Sequence, residues 1–314
     1  MRRRTMVASA VAAVVAGAAG IAFAAPKLPT PGSAAQVASL VAKSSSIEKL
    51  PKDLLPPLTE ASKDSVGWYD AVAARTCVDP TKCVFGDIRS KTTVVLLGDS
   101  HAQMWLTALV PVVQRARDRL ALVWRSGCPA ATITVWDAST HTADTGCSKF
   151  RAAAIAAIKK LAPAIVLLAD RTSDIPGAGN VPTTNAAWQS GLETTISELK
   201  TSKTKVAVIG DITAFSGTAG VIACLATYPS AVQKCAVPNP NSKTHQHFVA
   251  EMAAAAAERV PYVNPQPWLC TKTCSPVIGN MVVYYDSFHV SATYAEYLSG
   301  VLGAALQQAH VLTL

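Results

Sequence analysis

The chain has 314 residues and is half hydrophobic, which suits one large domain or two small ones and fills a core without help from a metal. Its formal charge is +8, but Arg2, Arg3 and Arg4 supply three of the 28 basic residues, and the remaining 25 against 20 acidic ones leave +5. No basic stripe is interleaved with aromatics, which argues against nucleic acid as a partner, whereas a mildly cationic surface suits an anionic cell envelope.

The first residues speak to the compartment. A basic start at Arg2–Arg4 is followed by an apolar run over residues 6–23, closing on Ala22-Phe23-Ala24-Ala25. Small residues at 22 and 24 fit a cleavage site, so residues 1–25 read as a signal peptide. The run approaches spanning length and would otherwise serve as an N-terminal anchor, although it is poor in Leu, Ile and Phe. Either reading makes the remainder secreted or extracytoplasmic. Residues 26–66 are rich in Pro, Ala, Ser and Lys, with Pro29, Pro31, Pro51, Pro56 and Pro57 preventing a long helix. They read as a spacer with at most a short helix over 35–43, and the folded domain is expected over 67–314, beginning near Trp68.

From there strands and helices alternate. Residues 93–97 are a short, wholly apolar run of the kind that forms a buried parallel strand, and 101–119 follow with helical periodicity. Further strands are predicted at 120–124, 164–168, 205–210 and 261–263. Helices are predicted at 149–161, 185–200, 242–259 and 291–308, the last with Ser291 as its N-cap. The alternation predicts an α/β fold: a three-layer α/β/α sandwich around a central parallel sheet of about five strands in flavodoxin-like order.

Eight cysteines in an exported chain read as disulfides. Neighbours in sequence enclose short, turn-rich segments, so the expected pairs are Cys77/Cys83, Cys128/Cys147, Cys224/Cys235 and Cys270/Cys274, although eight cysteines permit about 105 connectivities. Zinc is the rival reading, but no C-x2-C pair exists and the compartment is wrong; no metal or cofactor is implied.

Gly98-Asp99-Ser100-His101 falls at the carboxyl end of the first parallel strand, where open α/β sheets carry their sites. A serine there sits at a helix N-terminus, and its own N–H can stabilise an oxyanion. Ser100 as a plain helix cap is the simpler reading of that motif alone. Asp286-Ser287-Phe288-His289, ahead of the last helix, supplies the base and orienting carboxylate that a serine nucleophile needs. Together the two motifs predict a catalytic triad of Ser100, Asp286 and His289. His101 is expected to be packed or hydrogen-bonded in the turn, with a direct catalytic role as the less favoured alternative, and His245 and His247, two apart, fall on different faces of a helix, against metal binding. Trp105, Trp124 and Trp136 are candidates for a sugar platform, the first two fitting the core as well.

These motifs resemble the first and last blocks of the SGNH hydrolases. More narrowly, Gly98–Ala102, Ser126-Gly127-Cys128-Pro129, the Cys270…Cys274 segment and Tyr285-Asp286-x-x-His289-Val290-Ser291 are similar to SGNH domains fused to membrane acyltransferases of acyltransferase family three. The resemblance runs from about Trp68 to the C terminus. It implies an acyl-serine intermediate and O-acylation of cell-envelope polysaccharide, with a separate membrane protein as acyl donor. SGNH enzymes supply oxyanion donors from a glycine and an asparagine. Gly127 fits the first role, but the chain reads Ala169-Asp170-Arg171-Thr172 at the second, placing Arg171 there. Arg171 faces either the oxyanion or substrate, or pairs with Asp170 or Asp174; Asn180 and Asn185 are further candidates. The expected function is serine-dependent ester hydrolysis or acyl transfer, acetyl above all, on an envelope glycan. A non-catalytic polysaccharide-binding module with the same fold is the alternative.

Overall fold

The computed structural model of the chain describes residues 30–66, 76–215, 220–241 and 246–314. The expected leader over 1–25, Trp68 and His245 lie outside the described residues. Among those described, no helix is long and apolar enough to cross a membrane.

Six strands form the central sheet: β1 (Val84–Gly86), β2 (Thr93–Gly98), β3 (Arg119–Trp124), β4 (Ile165–Ala169), β5 (Lys205–Ile209) and β6 (Tyr262–Val263). Their spatial order is β1-β3-β2-β4-β5-β6. The five strands from β2 to β6 pair in parallel, in the expected flavodoxin-like order. The addition is β1, an antiparallel edge that runs from Val84 opposite Ala121 to Gly86 opposite Arg119. Too short to show a period, it gave no strand signal in the sequence.

Period-two alternation explains why β2 reads as one unbroken apolar run. Val94 and Leu96 enter the core on one face of the sheet, Val95 and Leu97 the core on the other. The same split recurs in β3, with Leu120 and Leu122 against Ala121 and Val123. One face is covered by α3 (Ser100–Ala116) and α8 (Ala292–Gln308), whose Trp105, Leu109, Tyr294 and Leu298 are buried there, and α6 (Gly220–Thr227) adds Val221 and Leu225 to the same core. The other carries α4 (Thr145–Leu161), α5 (Asn185–Leu199) and α7 (Phe248–Ala257). Part of the predicted 242–259 helix, residues 242–245, lies outside the described residues. Trp105 and Trp124 are core residues, and Trp136 lies half-buried in a small hairpin, so the three do not form a platform.

The expected spacer is not one over residues 30–66. Ser33 and Gln36 form a capping box that starts α1 (Ala34–Ser44), and Val37 and Val41 on its inner face are buried in the α3/α8 core. The prolines limit helix length without preventing packing. Leu54 and Ala61, the latter in α2 (Leu58–Ala61), are buried as well. Backbone bonds strap the segment down: Gly32 N–H to Tyr297 O (2.8 Å), Leu55 N–H to Asn280 O (2.8 Å) and Ala292 N–H to Asp64 O (2.8 Å). The strap thus touches both ends of the segment that leads into α8.

The disulfides are Cys77–Cys83, Cys128–Cys147, Cys224–Cys235 and Cys270–Cys274, the sequential pairing, and they suit an oxidising, extracytoplasmic compartment. Because α1 is part of the core, Val37→Ala and Val41→Ala are expected to cost about 2 kcal/mol each in chemical denaturation. A freely moving spacer would tolerate both without measurable change.

Candidate functional site

Three parallel strands each run into an acid: Gly98-Asp99 after β2, Ala169-Asp170 after β4 and Gly210-Asp211 after β5. All three side chains are buried. Asp99 is the N-cap of α3; its Oδ1 accepts the His101 N–H at 2.8 Å, and both its oxygens accept the Arg171 N–H at 3.1 Å. The cap therefore ties the start of α3 to the end of β4. Gly98 allows the approach: a Cβ there would overlap the Ala169 carbonyl oxygen. Asp170 accepts from the N–H groups of Ala130 (2.8 Å) and Ala131 (3.2 Å), fixing the loop after β3.

Ser100 thus stands at the first position of α3, at the carboxyl edge of the sheet between β3 and β4, where the strand order reverses. Its Oγ lies 2.8 Å from His289 Nε2, and His289 Nδ1 lies 2.7 Å from Asp286 Oδ2. The carboxylate fixes the tautomer: Nδ1–H donates to Asp286, leaving Nε2 as acceptor for the Ser100 hydroxyl. The loop before α8 is built around Asp286. Its Oδ1 accepts the N–H groups of Phe288 and His289, each at 2.7 Å. Although burial raises the Asp286 pKa, the His289 hydrogen bond and charge and the two backbone N–H groups outweigh it and hold the carboxyl below its ordinary value. Tyr285 stacks on His289 with ring centroids 5.4 Å apart, and the Val290 N–H donates to Met104 Sδ at 2.9 Å, fastening the loop to α3. The structure thus brings together the three residues that the two motifs singled out.

The sequence matches the family described as SGNH domain (fused to AT3 domains) over residues 70–303. The chain belongs to this family. The domain's fold is similar to the periplasmic domain of a lipopolysaccharide acetyltransferase from Salmonella ser. Paratyphi A, with TM-score 0.60 at 16% identity over 81% of this chain and 98% of that one. Weaker likenesses reach a GDSL-like lipase from Bacteroides thetaiotaomicron (TM-score 0.44, 13% identity, 78% of this chain and 98% of that one) and an active-site mutant of a family two carbohydrate esterase from Clostridium thermocellum (TM-score 0.42, 10% identity, 71% and 65%). A search of curated proteins finds no match.

The remaining predicted residues of this SGNH domain distribute as follows. Gly127 is exposed in the turn after β3, with φ 64° and open space where a Cβ would point. Arg171 lays its guanidinium 4.2 Å from the centroid of Phe288, beside His289 in the sequence, and donates to the carbonyls of Ser173 (2.8 Å) and Asp174 (3.4 Å). Asn185 meets His247 Nδ1 through its Oδ1 at 2.6 Å, and Asn180 is exposed at the end of a single 3₁₀ turn, Ala178–Asn180. His101 is buried and hydrogen-bonded as expected, and its partner, Asp211 at 2.6 Å from Nδ1, is one that the motif did not reveal.

Sequence reasoning also missed the buried acids behind the serine, whose signal was the acid following each of three apolar strands. Their states differ. Burial, reinforced by Asp170, pushes Asp99 well above the carboxylate range. Burial also raises Glu251 of α7 well above its ordinary value, and Asp211 adds to the effect. Burial brings Asp170 to about 7 despite its backbone hydrogen bonds. Asp211 is buried too, but His101 Nδ1, Thr172 N–H, Thr172 Oγ and Ile212 N–H all donate to it, which favours its charged form.

Between the ordinary value of 3.8 and about 7, the folded domain holds on Asp170 a proton that the unfolded chain has released. The contribution of Asp170 to stability therefore falls as pH rises through that window and levels above it. Asp170→Asn is expected to flatten this part of the Tm-versus-pH curve, while a slope equal to wild type would place the proton elsewhere.

Proposed function

We propose that this SGNH domain carries out serine-dependent ester chemistry on a cell-envelope glycan, either hydrolysis or acyl transfer, with acetyl as the acyl group. The observation that carries the reading is the unbroken chain from Ser100 Oγ to His289 Nε2 (2.8 Å) and from His289 Nδ1 to Asp286 Oδ2 (2.7 Å). In the first half-reaction Ser100 Oγ attacks the acyl carbonyl while His289 Nε2 takes its proton. Asp286, kept ionised by its hydrogen bonds, holds the ring and stabilises the imidazolium. The oxyanion is received by the Ser100 N–H at the N-terminus of α3, aided by the Gly127 N–H and Arg171. The tetrahedral adduct collapses to acyl-Ser100, and His289 returns the proton to the departing donor group. In the second half-reaction His289 deprotonates water or a sugar hydroxyl as it attacks the acyl-serine, and the proton passes from His289 to Ser100 Oγ as the ester bond breaks.

Family membership and the likeness to a lipopolysaccharide acetyltransferase domain support an envelope glycan as acceptor and a separate membrane acyl donor as partner. The four disulfides are consistent with that side of the membrane. A polysaccharide-binding module would have no need of an ordered hydrogen-bond chain on a half-exposed serine.

Purified protein given an acetyl ester, with and without a glycan acceptor, tests the reading. Turnover is expected in the wild type, and Ser100→Ala is expected to lower kcat by ~10³–10⁶. Full activity in that variant would refute the triad. Arg171→Ala is expected to reduce kcat by ~10² with KM little changed, as for loss of an oxyanion donor. A raised KM at constant kcat would instead assign Arg171 to substrate binding.

A further inference from the structure

His101 is 1% exposed and follows the nucleophile directly, yet the triad makes no use of it. Its ring meets the ring of His289 edge-on, with centroids 5.0 Å apart and planes at 65°. Nδ1 is spent on Asp211, at 2.6 Å, while Nε2 is buried with no hydrogen-bond partner among the described residues. That orphan atom fixes the protonation state. An N–H at a buried, unpartnered position costs far more than a bare lone pair, so the proton sits on Nδ1 and the ring is neutral. Burial, which lowers the His101 pKa in spite of the Asp211 charge, acts in the same direction.

The negative charge of the pair consequently stays on Asp211. Three other donors besides His101 hold it there: Thr172 N–H (2.7 Å), Thr172 Oγ (2.8 Å) and Ile212 N–H (2.7 Å). Titratable and charged groups face the pair from every neighbouring element, with Tyr262 of β6 and Tyr284 of the segment before α8 among them. Asp99 caps the helix that bears His101, and Asp170 and Arg171 follow β4. Glu251 of α7 accepts the Asp211 N–H at 3.0 Å, and His289 lies on the loop before α8. Burial pushes Asp99 and Glu251 towards their neutral forms and holds the proton on Asp170 up to about 7, whereas Asp211, with its four donors, carries the charge of the cluster.

We infer that His101 and Asp211 form a positioning pair behind the catalytic histidine: the neutral His101 ring braces His289 edge-on, and the Asp211 charge transmitted through it favours the imidazolium that forms when Ser100 gives up its proton. This second His–Asp pair rests on the reading of Ser100, His289 and Asp286 given above. It is a device for holding and charging the base, and neither residue touches the reacting atoms.

The test is the pH dependence of kcat and KM for acetyl-ester hydrolysis by wild type, His101→Leu, His101→Asn, Asp211→Asn and Ser100→Ala. His101→Leu is expected to lower kcat roughly ten-fold or more, a fraction of what a positioned base contributes, with KM nearly constant. His101→Asn, which keeps an N–H where Nδ1 was, should recover part of that loss. Asp211→Asn removes the anion, so the imidazolium loses stabilisation and the acid limb of the kcat/KM profile moves to lower pH. A folded His101→Leu protein with wild-type kcat and profile overturns the inference. If Ser100→Ala is inactive at the same time, only the second pair fails; if Ser100→Ala is fully active, the triad reading itself falls. Nitrogen-15 spectra of the wild-type histidines decide the matter should the variants not fold. His101 is expected neutral with Nδ1 protonated wherever the enzyme is active, and an imidazolium there would contradict the proposal.

Discussion

The site depends on burying acids at the ends of parallel strands. A carboxyl removed from water must take up a proton or be surrounded by donors, and both solutions occur within one layer of this domain. Asp99 and Asp170 bind backbone N–H groups of Arg171, Ala130 and Ala131, so the loops after β3 and β4 are drawn onto the start of α3. Asp211 gathers its donors from His101, Thr172 and Ile212 and keeps its charge. The loops that surround Ser100 are thereby located by hydrogen bonds that are expensive to break, because each would leave a buried group unpaired. A nucleophile on a helix N-terminus needs such a fixed frame, since oxyanion donors act only if they are already in place.

The frame exacts a cost in stability, as buried acids with raised pKa values disfavour the fold at neutral pH. The disulfides and the strap from residue 30 to 66 offset it. The strap covers the α3/α8 face with Val37, Val41 and Leu54, and Asp64 accepts the N–H groups of Ala292 and Thr293 at the start of α8. The Asp286–His289 loop immediately precedes that helix. Packing at the N-terminal segment is thus mechanically continuous with the loop that presents the base.

Much of this was legible in the sequence because it depends on short-range periodicity. Short apolar runs such as 94–97 and 164–168, alternating with helical patterns, are typical of strands buried on both faces, and the flavodoxin-like order fits that alternation. Ser100, Asp286 and His289 were legible because each motif sits at a strand-to-helix boundary where chemistry is exposed. What escaped depends on tertiary contact. The edge strand β1 has three residues and no period of its own. Residues 30–66 look like a linker by composition, yet Val37 and Val41, four apart on α1, anchor it to the core together with Leu54 and Ala61. The partner of His101 lies 110 residues away, and nothing local announces it. Only the acid repeated after β2, β4 and β5 carried a trace of the buried cluster, and it is visible once those strands are aligned.

The central claim is that the acyl group passes through Ser100. Acid-quenching the protein during turnover of an acetyl ester and mapping the modified peptide by mass spectrometry tests it most directly. The account predicts one acetyl group on Ser100, chased away by further incubation. Turnover with the acetyl group trapped on any other residue would contradict it.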